Sequence, residues 1–557
     1  MTGRVSNRRI RLLLGLFVLV FAATLARAVW LQGVQAGTFE EMALRQHRQT
    51  VTIPAGRGTI FDRTGEPLAI GQQATTVYAD PREVRNPRQV ALAAARALGV
   101  DANALYPRLA DRTKHFVYVQ RKADPVQAAK LEQQDLPGLG FYAEEVRTFP
   151  QGAVAAHVLG FTGVDNNGLE GLEKALDGRL AGKPGSMTIV KDPLGNVIDE
   201  IDTRAETAGA DVFLTLDHRM QANAEAVLRA TVREAHAKGG TAIVLDPRTG
   251  AILAMANAPT FDPNRFGKAP PDRRRNRAIT DTYEPGSTLK LVTVAGALSE
   301  KLVAPSTRYT LETSIQVADR IIHEHEPRAT QRMSVAQILS QSSNVGTITL
   351  AQLLGKDRLL SWLDRFGFGR RTGVDYPGES RGLLPSYWSG STIGNVPIGH
   401  GIAITPVQMA AAYGAVANGG VLRTPHLVER IGSDSTKRGT GRRVVSQTVA
   451  AQVMTMLRDV VTGDGGTGAA AAVPGYTVAG KTGTAAKPER GGYSTSRYVA
   501  SFVGIVPAKD PRLVVLVSID EPRTAIWGGV VAAPAFSKIA QFGLQYLEIP
   551  PDATPKP

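Results

Sequence analysis

The feature that most constrains this chain is an uncharged apolar segment near its N-terminus. Leu12 to Ala26 is fifteen residues without a charge; as a helix it spans about 22 Å, less than the roughly 30 Å hydrocarbon core of a bilayer. Extension to Leu31 gives twenty residues, enough to cross if Arg27 reaches the far interface beside Trp30. The segment therefore predicts one transmembrane helix over residues 12–31.

The residues around this segment predict its orientation and leave one alternative open. Four arginines precede it, namely Arg4, Arg8, Arg9 and Arg11. Because positive residues stay on the cytoplasmic side, residues 1–11 are predicted to be a cytoplasmic tail, with everything after residue 31 outside the plasma (inner) membrane. The alternative is a cleaved secretory signal, since Ala26-Arg27-Ala28 resembles an A-x-A cleavage site.

Composition excludes several kinds of protein. Among the 557 residues 43% are hydrophobic, which permits large cores, and no cysteine is present, which excludes disulfides, thiolate metal sites and a cysteine nucleophile. The net charge of +14 raises the question of nucleic acid. Outside the N-terminus and a cluster at 273–277, however, both signs are interspersed and no nucleic-acid-binding motif occurs. We expect no nucleic-acid partner.

The first part of the chain after the membrane segment is a mixed, irregular module. A short helix is predicted over 37–48 and a strand over 50–53, followed by a block rich in turns and by glycine-rich stretches. No hydrolytic or phosphate-binding pattern occurs here. We predict an α+β domain over residues 32–215 and call it the pedestal.

The second part changes to alternating strands and helices. Residues 221–237 read as a helix and 241–257 as a hairpin, and two β-rich runs, 498–506 and 513–519, return before a closing helix over 534–547. Strands at both ends with helices between them predict an α/β domain over residues 216–547 whose terminal strands pair. The proline-rich residues 548–557 are predicted to be a disordered tail.

The chemical signal begins at Ser287-Thr288-Leu289-Lys290, which opens an almost wholly apolar helix, Leu291 to Leu298. The i, i+3 spacing places Ser287 and Lys290 on one face of that helix. Burial there would lower the pKa of Lys290, so that the lysine can deprotonate the serine, and N–H groups at the helix start can stabilise an oxyanion. The motif occurs once in the chain, although about one or two matches are expected by chance.

Two further motifs follow in order. Ser342-Ser343-Asn344 ends a predicted helix and offers a hydroxyl and an amide. Lys481-Thr482-Gly483-Thr484 precedes the C-terminal strands and offers a lysine, two hydroxyls and a strand edge for a peptide backbone. Each alone is an ordinary turn or loop. Their order and context favour one site.

One other cluster invites a metal interpretation. His323-Glu324-His325 offers a ligand pair, but no third ligand lies at a telling spacing. We interpret it as a solvated loop and predict neither a metal site nor a cofactor.

The order Ser-x-x-Lys, Ser-x-Asn, Lys-Thr-Gly resembles the signature of penicillin-binding proteins and serine β-lactamases. Glu284-Pro285-Gly286 and Gly399-His400-Gly401 extend the resemblance, and in the pedestal Arg57 to Gly65 and Gly168-Leu169-Glu170 are similar to class B penicillin-binding proteins. The short pedestal with Tyr78-Ala79-Asp80-Pro81 resembles the septal FtsI type. The chain is thus identified as a class B member: an α+β sandwich of the transpeptidase type, preceded by the pedestal and one transmembrane helix.

The resemblance implies a serine-type D-Ala-D-Ala transpeptidase. Ser287 would attack the stem peptide, release the terminal D-alanine and hold an acyl-enzyme. Lys290 would be the base for acylation, Ser342 would relay the proton to the leaving amine, and Asn344 would orient the substrate amide.

The third motif completes the implied site. Lys481 would tune the electric field around the serines, and Thr482, Gly483 and Thr484 would bind the substrate, with the two threonines at its terminal carboxylate. The backbone N–H groups of Ser287 and Thr484 would form the oxyanion hole.

The same resemblance implies partners and leaves alternatives. Peptidoglycan stem peptides, β-lactams, a SEDS-family glycosyltransferase and bitopic division proteins are the implied partners at the septal membrane. An elongation-type transpeptidase and a non-catalytic division scaffold or β-lactam sensor stay open. A bifunctional synthase is disfavoured because the pedestal is too short for a glycosyltransferase, and a β-lactamase because such enzymes lack a large pedestal.

Overall fold

Contacts between residues divide the polypeptide into two units. The computed structural model describes residues 3–38, 42, 48–191, 197–326, 328–436 and 441–553. The first unit is Met1–Gly56 with Gly182–Gly209, and the second is Arg57–Ala181 with Ala210–Pro557. The predicted short helix over 37–48 falls mostly outside the described residues.

The elements of secondary structure follow in chain order. The helices are α1 (Gly3–Val29), α2 (Pro87–Leu98), α3 (Ala102–Ala110), α4 (Pro125–Glu132), α5 (Ala156–Leu159), α6 (Gly171–Ala175), α7 (Asp177–Leu180), α8 (His218–Glu234), α9 (Pro271–Arg274), α10 (Arg277–Thr280), α11 (Lys290–Ser299), α12 (Val335–Ser340), α13 (Asn344–Leu354), α14 (Lys356–Arg365), α15 (Thr392–Asn395), α16 (Pro406–Ala417), α17 (Gln447–Thr462) and α18 (Gly528–Tyr546). The strands are β1 (Arg48–Ile53), β2 (Ile60–Phe61), β3 (Pro67–Ala79), β4 (Val117–Ala123), β5 (Leu139–Thr148), β6 (Phe161–Thr162), β7 (Gly168–Glu170), β8 (Gly185–Lys191), β9 (Val197–Arg204), β10 (Val212–Leu214), β11 (Gly239–Leu245), β12 (Ile252–Ala258), β13 (Arg308–Leu311), β14 (Ser314–Val317), β15 (Arg320–His323), β16 (Gln331–Ser334), β17 (Val421–Leu422), β18 (Val428–Ile431), β19 (Asp434–Ser435), β20 (Arg442–Arg443), β21 (Ala479–Glu489), β22 (Gly492–Val506) and β23 (Leu513–Asp520).

The first unit contains the apolar helix and a small sheet. Helix α1 continues as a π-helical turn, Trp30–Val34, and an 18-residue part of the stretch Asn7–Val34 has a mean hydropathy of 2.4 and no buried residue. It is long and apolar enough to cross a membrane once. The sheet is antiparallel with strand order β1-β8-β9. The predicted N-terminal apolar helix is therefore confirmed.

The second unit is built on an antiparallel sheet of five strands, ordered β12-β11-β23-β22-β21. Strand β11 pairs with both β12, its hairpin partner, and β23 from the C-terminal end, so Ala242 lies opposite Ala256 on one side and Val517 on the other. The predicted hairpin and the pairing of terminal strands are confirmed. Strand β21, which carries the third motif, forms an edge of the sheet.

Both faces of this sheet are buried, as an α/β sandwich requires. Ala242 and Val244 pack in a core with α8 and α18, whereas Ile243 and Leu245 point to the opposite core, which holds α11 and α16. Alternate residues of one strand enter different cores because successive side chains point to opposite faces. This explains why the strand reads as a continuous apolar run.

A mixed sheet of seven strands joins the pedestal part of the second unit to the start of the α/β part. Its order is β19-β18-β10-β2-β3-β4, with β5 also paired to β3. Strands β2 and β10 are parallel, and β10 is antiparallel to β18.

A buried charge cluster lies beside this sheet. Glu173 is fully buried and accepts hydrogen bonds from Arg57 Nε (2.7 Å) and Arg147 Nε (2.6 Å). Arg57 also contacts Asp177 Oδ1 (2.7 Å). The pedestal segments that resemble the class B family are thus joined by ion pairs.

The described part of the C-terminal tail is ordered, in contrast to the disorder predicted over 548–557. Ile549 is buried, and its carbonyl accepts a hydrogen bond from the Tyr476 hydroxyl (2.5 Å). Asp552 accepts from the Thr477 N–H (2.6 Å). Composition alone predicted disorder because proline-rich ends lack periodicity, but these specific contacts fix residues 549–552. The last four residues lie outside the described part of the chain.

Candidate active site

Ser287 stands at the start of a helix that is otherwise packed in the core. Gly286–Leu289 forms a 3₁₀ turn that leads directly into α11, and nine of the ten residues of α11 are buried. The Thr288 hydroxyl donates to the Pro285 carbonyl (2.8 Å), and the Tyr413 hydroxyl donates to the Thr288 carbonyl (3.0 Å). The turn that carries Ser287 is therefore held from both sides.

Lys290 is fully buried and reaches the second motif. Its Nζ donates to the Ser342 carbonyl (2.5 Å) and to Asn344 Oδ1 (2.7 Å), and it lies 3.3 Å from Ser342 Oγ. Burial lowers the pKa of Lys290 to about 7, and the Glu324 carboxylate opposes this shift. A substantial fraction of Lys290 is therefore neutral near pH 7, the form that a general base needs.

Ser342-Ser343-Asn344 forms the turn between α12 and α13. Ser342 has a positive φ of 62°, a left-handed conformation that is rare for serine and costs about 1–3 kcal/mol. Ser343 caps α13, since its Oγ accepts a hydrogen bond from the Gly346 N–H (2.9 Å). The strained turn brings both the carbonyl and the hydroxyl of Ser342 to Lys290.

Glu324, which we assigned to a solvated loop, holds this turn in place. Its carboxylate accepts hydrogen bonds from the Asn344 N–H (2.7 Å) and the Ser343 hydroxyl (2.5 Å), and it pairs with Arg328. Burial would raise the pKa of Glu324, but these hydrogen bonds bring it below its ordinary value. The carboxylate is therefore ionised at neutral pH, and the loop interpretation is wrong for this residue.

The third motif lies on β21. Lys481 is fully buried, and its Nζ donates to the carbonyl (3.2 Å) and the hydroxyl (3.3 Å) of Thr482. Burial, followed by the charge of Lys290, lowers the pKa of Lys481 well below its ordinary value. Thr484 Oγ1 accepts a hydrogen bond from the Gly528 N–H (3.1 Å). The Lys290 charge acts on Lys481 because the first and third motifs lie close together.

The three motifs line one cavity of about 710 Å³, although they lie far apart in the sequence. Their residues in its wall are Ser287, Ser342, Ser343, Asn344, Thr482 and Thr484. The Ser287 segment and β21 pack closely: a Cβ at Gly286, whose φ is +56°, would lie 2.9 Å from the Thr484 carbonyl oxygen. This close approach explains why glycine precedes the serine.

Gly483 is not in the described wall of this cavity. A Cβ at this position would lie 2.4 Å from Ser501 Oγ and 2.9 Å from the Pro285 carbonyl oxygen. Glycine here lets β21 pack against the Ser287 segment. Substrate binding by Gly483 stays a prediction, as does the oxyanion hole of the Ser287 and Thr484 N–H groups.

Three residues of the cavity wall lie outside the predicted site. His325 and Trp527 form an edge-to-face pair with ring centroids 4.3 Å apart, and His400 also lines the cavity. Burial lowers the pKa of His400 to about 4, so its ring is neutral. His400 stands in the Gly399-His400-Gly401 pattern and His325 in the segment that we assigned to a solvated loop, but neither was predicted as a site residue, and no sequence pattern marks Trp527.

The arrangement suits acyl transfer to a serine. It combines a hydroxyl on a rigid turn, a buried lysine that is partly neutral at pH 7, a second hydroxyl in contact with that lysine, and an edge strand that can pair with a peptide.

Comparison with known proteins assigns the class. Residues 240–541 match the penicillin binding protein transpeptidase domain, and residues 52–214 match the penicillin-binding protein dimerisation domain. The chain belongs to the penicillin-binding protein transpeptidase family, as a class B member with the dimerisation domain ahead of the transpeptidase domain. The boundary that we placed between residues 215 and 216 stays a prediction.

Full-length relatives narrow the comparison to FtsI-like proteins. The chain is 36% identical to the probable peptidoglycan D,D-transpeptidase PenA of Neisseria meningitidis, over 98% of this chain and 94% of that protein. It is 33% identical to the peptidoglycan D,D-transpeptidase FtsI of Escherichia coli, over 98% and 93%. The crystal structure of penicillin-binding protein 3 of Mycobacterium tuberculosis in complex with aztreonam is similar, with a TM-score of 0.71 and 31% identity, over 90% of this chain and 98% of that one.

Proposed function

We propose that this protein cross-links peptidoglycan stem peptides through an acyl-enzyme on Ser287. Its family and its full-length relatives support peptidoglycan D,D-transpeptidase activity. The observation that carries the mechanism is Lys290, a buried lysine with a pKa near 7, one helical turn from Ser287 and in contact with Ser342. This supports Lys290 as the base for Ser287, which lines a cavity of about 710 Å³.

Acylation proceeds by exchange of one bond for another. Neutral Lys290 takes the Ser287 proton, and Ser287 Oγ attacks the carbonyl of the penultimate D-alanine. The peptide bond to the terminal D-alanine breaks, an ester to Ser287 forms, and Ser342 passes a proton from Lys290 to the departing amine. Asn344 orients the substrate amide.

Deacylation reverses the proton path. An amine from a neighbouring stem peptide attacks the ester, a new peptide bond forms, and the proton that the amine loses returns through Lys290 to Ser287. The cross-link is thus made without loss of the enzyme's serine.

The substrate carboxylate is assigned to the β21 side of the cavity. Thr482 and Thr484 present hydroxyls there, and Lys481 lies behind Thr482 at 3.3 Å from its hydroxyl. Hydroxyl groups and a lysine Nζ behind them can donate hydrogen bonds to an anion. A β-lactam presents a comparable anionic group beside a strained amide, and the similar structure from M. tuberculosis is a complex with aztreonam.

A fluorescent penicillin tests the acyl-enzyme. The purified protein should become covalently labelled, and Ser287→Ala should abolish the label while a control at the far end of the same helix, Ser299→Ala, retains it. Peptide mass spectrometry should locate the adduct on Ser287. Absence of label on the wild type, or persistent label in Ser287→Ala, would contradict the proposal.

The cellular role that we propose is septal. The short pedestal resembles the FtsI type, and FtsI of E. coli is a full-length relative. The N-terminus is then cytoplasmic, the catalytic part extracytoplasmic, and the partners are a SEDS-family glycosyltransferase and bitopic division proteins. Depletion should give filaments, whereas rounded cells would indicate elongation, and rescue by Ser287→Ala would indicate a scaffold.

A further inference from the structure

Glu284 lies three residues before Ser287, where three segments around the cavity meet. Its Oε1 accepts hydrogen bonds from the Gly401 N–H (3.0 Å) and the Tyr493 hydroxyl (3.2 Å). Gly401 belongs to the loop 399–401, and Tyr493 begins β22, which forms a hairpin with β21. One carboxylate thus ties the segment that carries Ser287 to a loop and to a hairpin.

Both tied segments reach the proposed catalytic cavity. His400 of the loop lies in the cavity wall and packs edge-on against the Tyr493 ring, with centroids 5.2 Å apart. The hairpin strand β21 carries Thr482 and Thr484. A shift of either segment would therefore change the shape of the wall around Ser287.

The carboxylate of Glu284 is poorly satisfied for a purely structural group. Its Oε2 is buried and has no hydrogen-bond partner in the described part of the protein. Burial raises the pKa of Glu284 to about 7, and the hydrogen bonds from Gly401 and Tyr493 oppose the shift. An uncharged side chain would avoid this cost, so the choice of a carboxylate calls for a function.

We propose that Glu284 is a positioning residue for acylation: as a carboxylate it holds the loop 399–401 and the β21–β22 hairpin in place beside Ser287, and on protonation it loosens them. It touches no reacting atom. The inference rests on the proposed acyl-enzyme at Ser287. Its physical basis is that an ionised carboxylate accepts stronger hydrogen bonds than a protonated one.

No charged group among the residues that the structure describes forms an ion pair with Glu284. The pKa of Glu284 therefore depends mainly on burial and on its two hydrogen bonds. On its own segment Asp281 pairs with Arg275, and on β21 Lys487 pairs with Asp520 and Glu521. The other facing groups are Tyr283, Tyr493 and the neutral His400.

The test is the pH dependence of acylation by a fluorescent penicillin, between about pH 5.5 and 9. Two groups with a pKa near 7 must each lose a proton, Lys290 to act as the base and Glu284 to hold the wall. Because protonated Glu284 loosens the wall without abolishing acylation, the logarithm of the wild-type rate should rise with a slope above one around pH 7 and return toward one at the acid end. Glu284→Gln should reduce the slope to one and lower the rate at pH 8 by about 5–10-fold, as expected for weakened hydrogen bonds.

Three variants separate positioning from general damage. Glu284→Asp keeps a titrating group and should keep the steep slope at a reduced rate. Tyr493→Phe removes one hydrogen bond and should also lower the rate without changing the slope. The matched control is Glu225→Gln, which removes another buried acid whose pKa burial raises to about 7, but on α8 away from the cavity wall; it should leave slope and rate unchanged.

The outcomes are distinguishable. The inference would be overturned if Glu284→Gln kept the wild-type slope of log rate against pH, or if Glu284→Asp showed a slope of one. Loss of the steep slope in Glu225→Gln would overturn it as well. Failure of the wild type to label at Ser287 would instead overturn the proposed function. Thermal unfolding of each variant shows whether it is folded, and if Glu284→Gln is not, the Glu284→Asp and Tyr493→Phe profiles decide.

Discussion

At Lys290, burial and a neighbouring carboxylate act on one pKa in opposite directions. Burial is the larger influence and lowers it, while Glu324 raises it. Glu324 also accepts hydrogen bonds from Ser343 and Asn344. The same side chain therefore adjusts the base and holds the turn that presents Ser342 to it, so its loss should change both the pH dependence and the maximal rate of acylation.

Glu324→Gln should separate these two effects. Removal of the negative charge lowers the pKa of Lys290 further, so the neutral lysine persists to lower pH and the acid limb of the acylation profile should move down by about 0.5–1 pH unit. The looser turn should reduce the maximal rate by about tenfold.

The measurement is the rate of penicillin acylation as a function of pH. Glu312→Gln, at an exposed glutamate before β14, is the matched control and should leave the profile unchanged. An upward shift of the acid limb in Glu324→Gln would contradict the assigned electrostatic effect.

The sequence predicted the motifs at this scale but not the residues that support them. Ser287, Lys290 and Asn344 stand in recognisable spacings, and the structure brings them to one cavity. Glu324 and Glu284 also stand in short patterns that we noted, but the sequence did not predict their roles. Each acts through contacts with residues distant in the chain, and a spacing within the chain does not show such contacts.

At the scale of elements, buried ion pairs join three segments of the pedestal. Glu173 on α6 receives Arg57 from the segment before β2 and Arg147 from β5, and all three side chains are nearly inaccessible. A buried pair of this kind is costly to break because the remaining charges stay buried. The cluster therefore fixes the packing of these three segments.

Glu173→Gln should destabilise the pedestal by about 3–5 kcal/mol, since it leaves the buried Arg147 guanidinium without its ion-pair partner and leaves Arg57 paired with Asp177 alone. Hydrogen exchange should show the loss in β5 and α6, and denaturant unfolding should show an earlier transition. Glu170→Gln, a neighbouring glutamate with no ion pair in the described structure, is the control. Equal stability of Glu173→Gln and the control would show that the cluster contributes little.

Element boundaries were harder to predict than element types. The helix predicted from residue 221 begins at His218, because the Asp217 side chain caps it through the Arg219 and Met220 N–H groups. The closing helix predicted from residue 534 begins at Gly528 and contains Pro534. Proline usually marks a helix start, and only the packing of α18 on the sheet shows that the helix continues through it.

For the whole molecule, composition predicted an anchor, a pedestal and an α/β domain. Contacts group residues 57–181 with the α/β part and residues 182–209 with the N-terminal segment. The pattern of residues along the chain could not show this grouping, because the grouping depends on the pairing of β1 with β8 and of β2 with β10.

The N-terminal helix should anchor the protein in the membrane. Exposure of its apolar surface to water is unfavourable, so extraction of the protein from membranes should require detergent rather than salt. Deletion of residues 1–36 should release a soluble protein that is still labelled by penicillin. Mass spectrometry of the membrane-extracted protein should find the intact N-terminus. A mature N-terminus directly after Ala28 would instead establish the cleaved signal.

The seven-stranded sheet orders events during synthesis of the chain. Strand β2 is made early, but its parallel neighbour β10 follows only after residue 211, and β18, the neighbour of β10 on the other side, after residue 427. Until then the early strands have unpaired edges, which readily bind other chains. The nascent protein thus passes through a long interval with an incomplete sheet, and its yield should depend on how well its early strands are protected from aggregation.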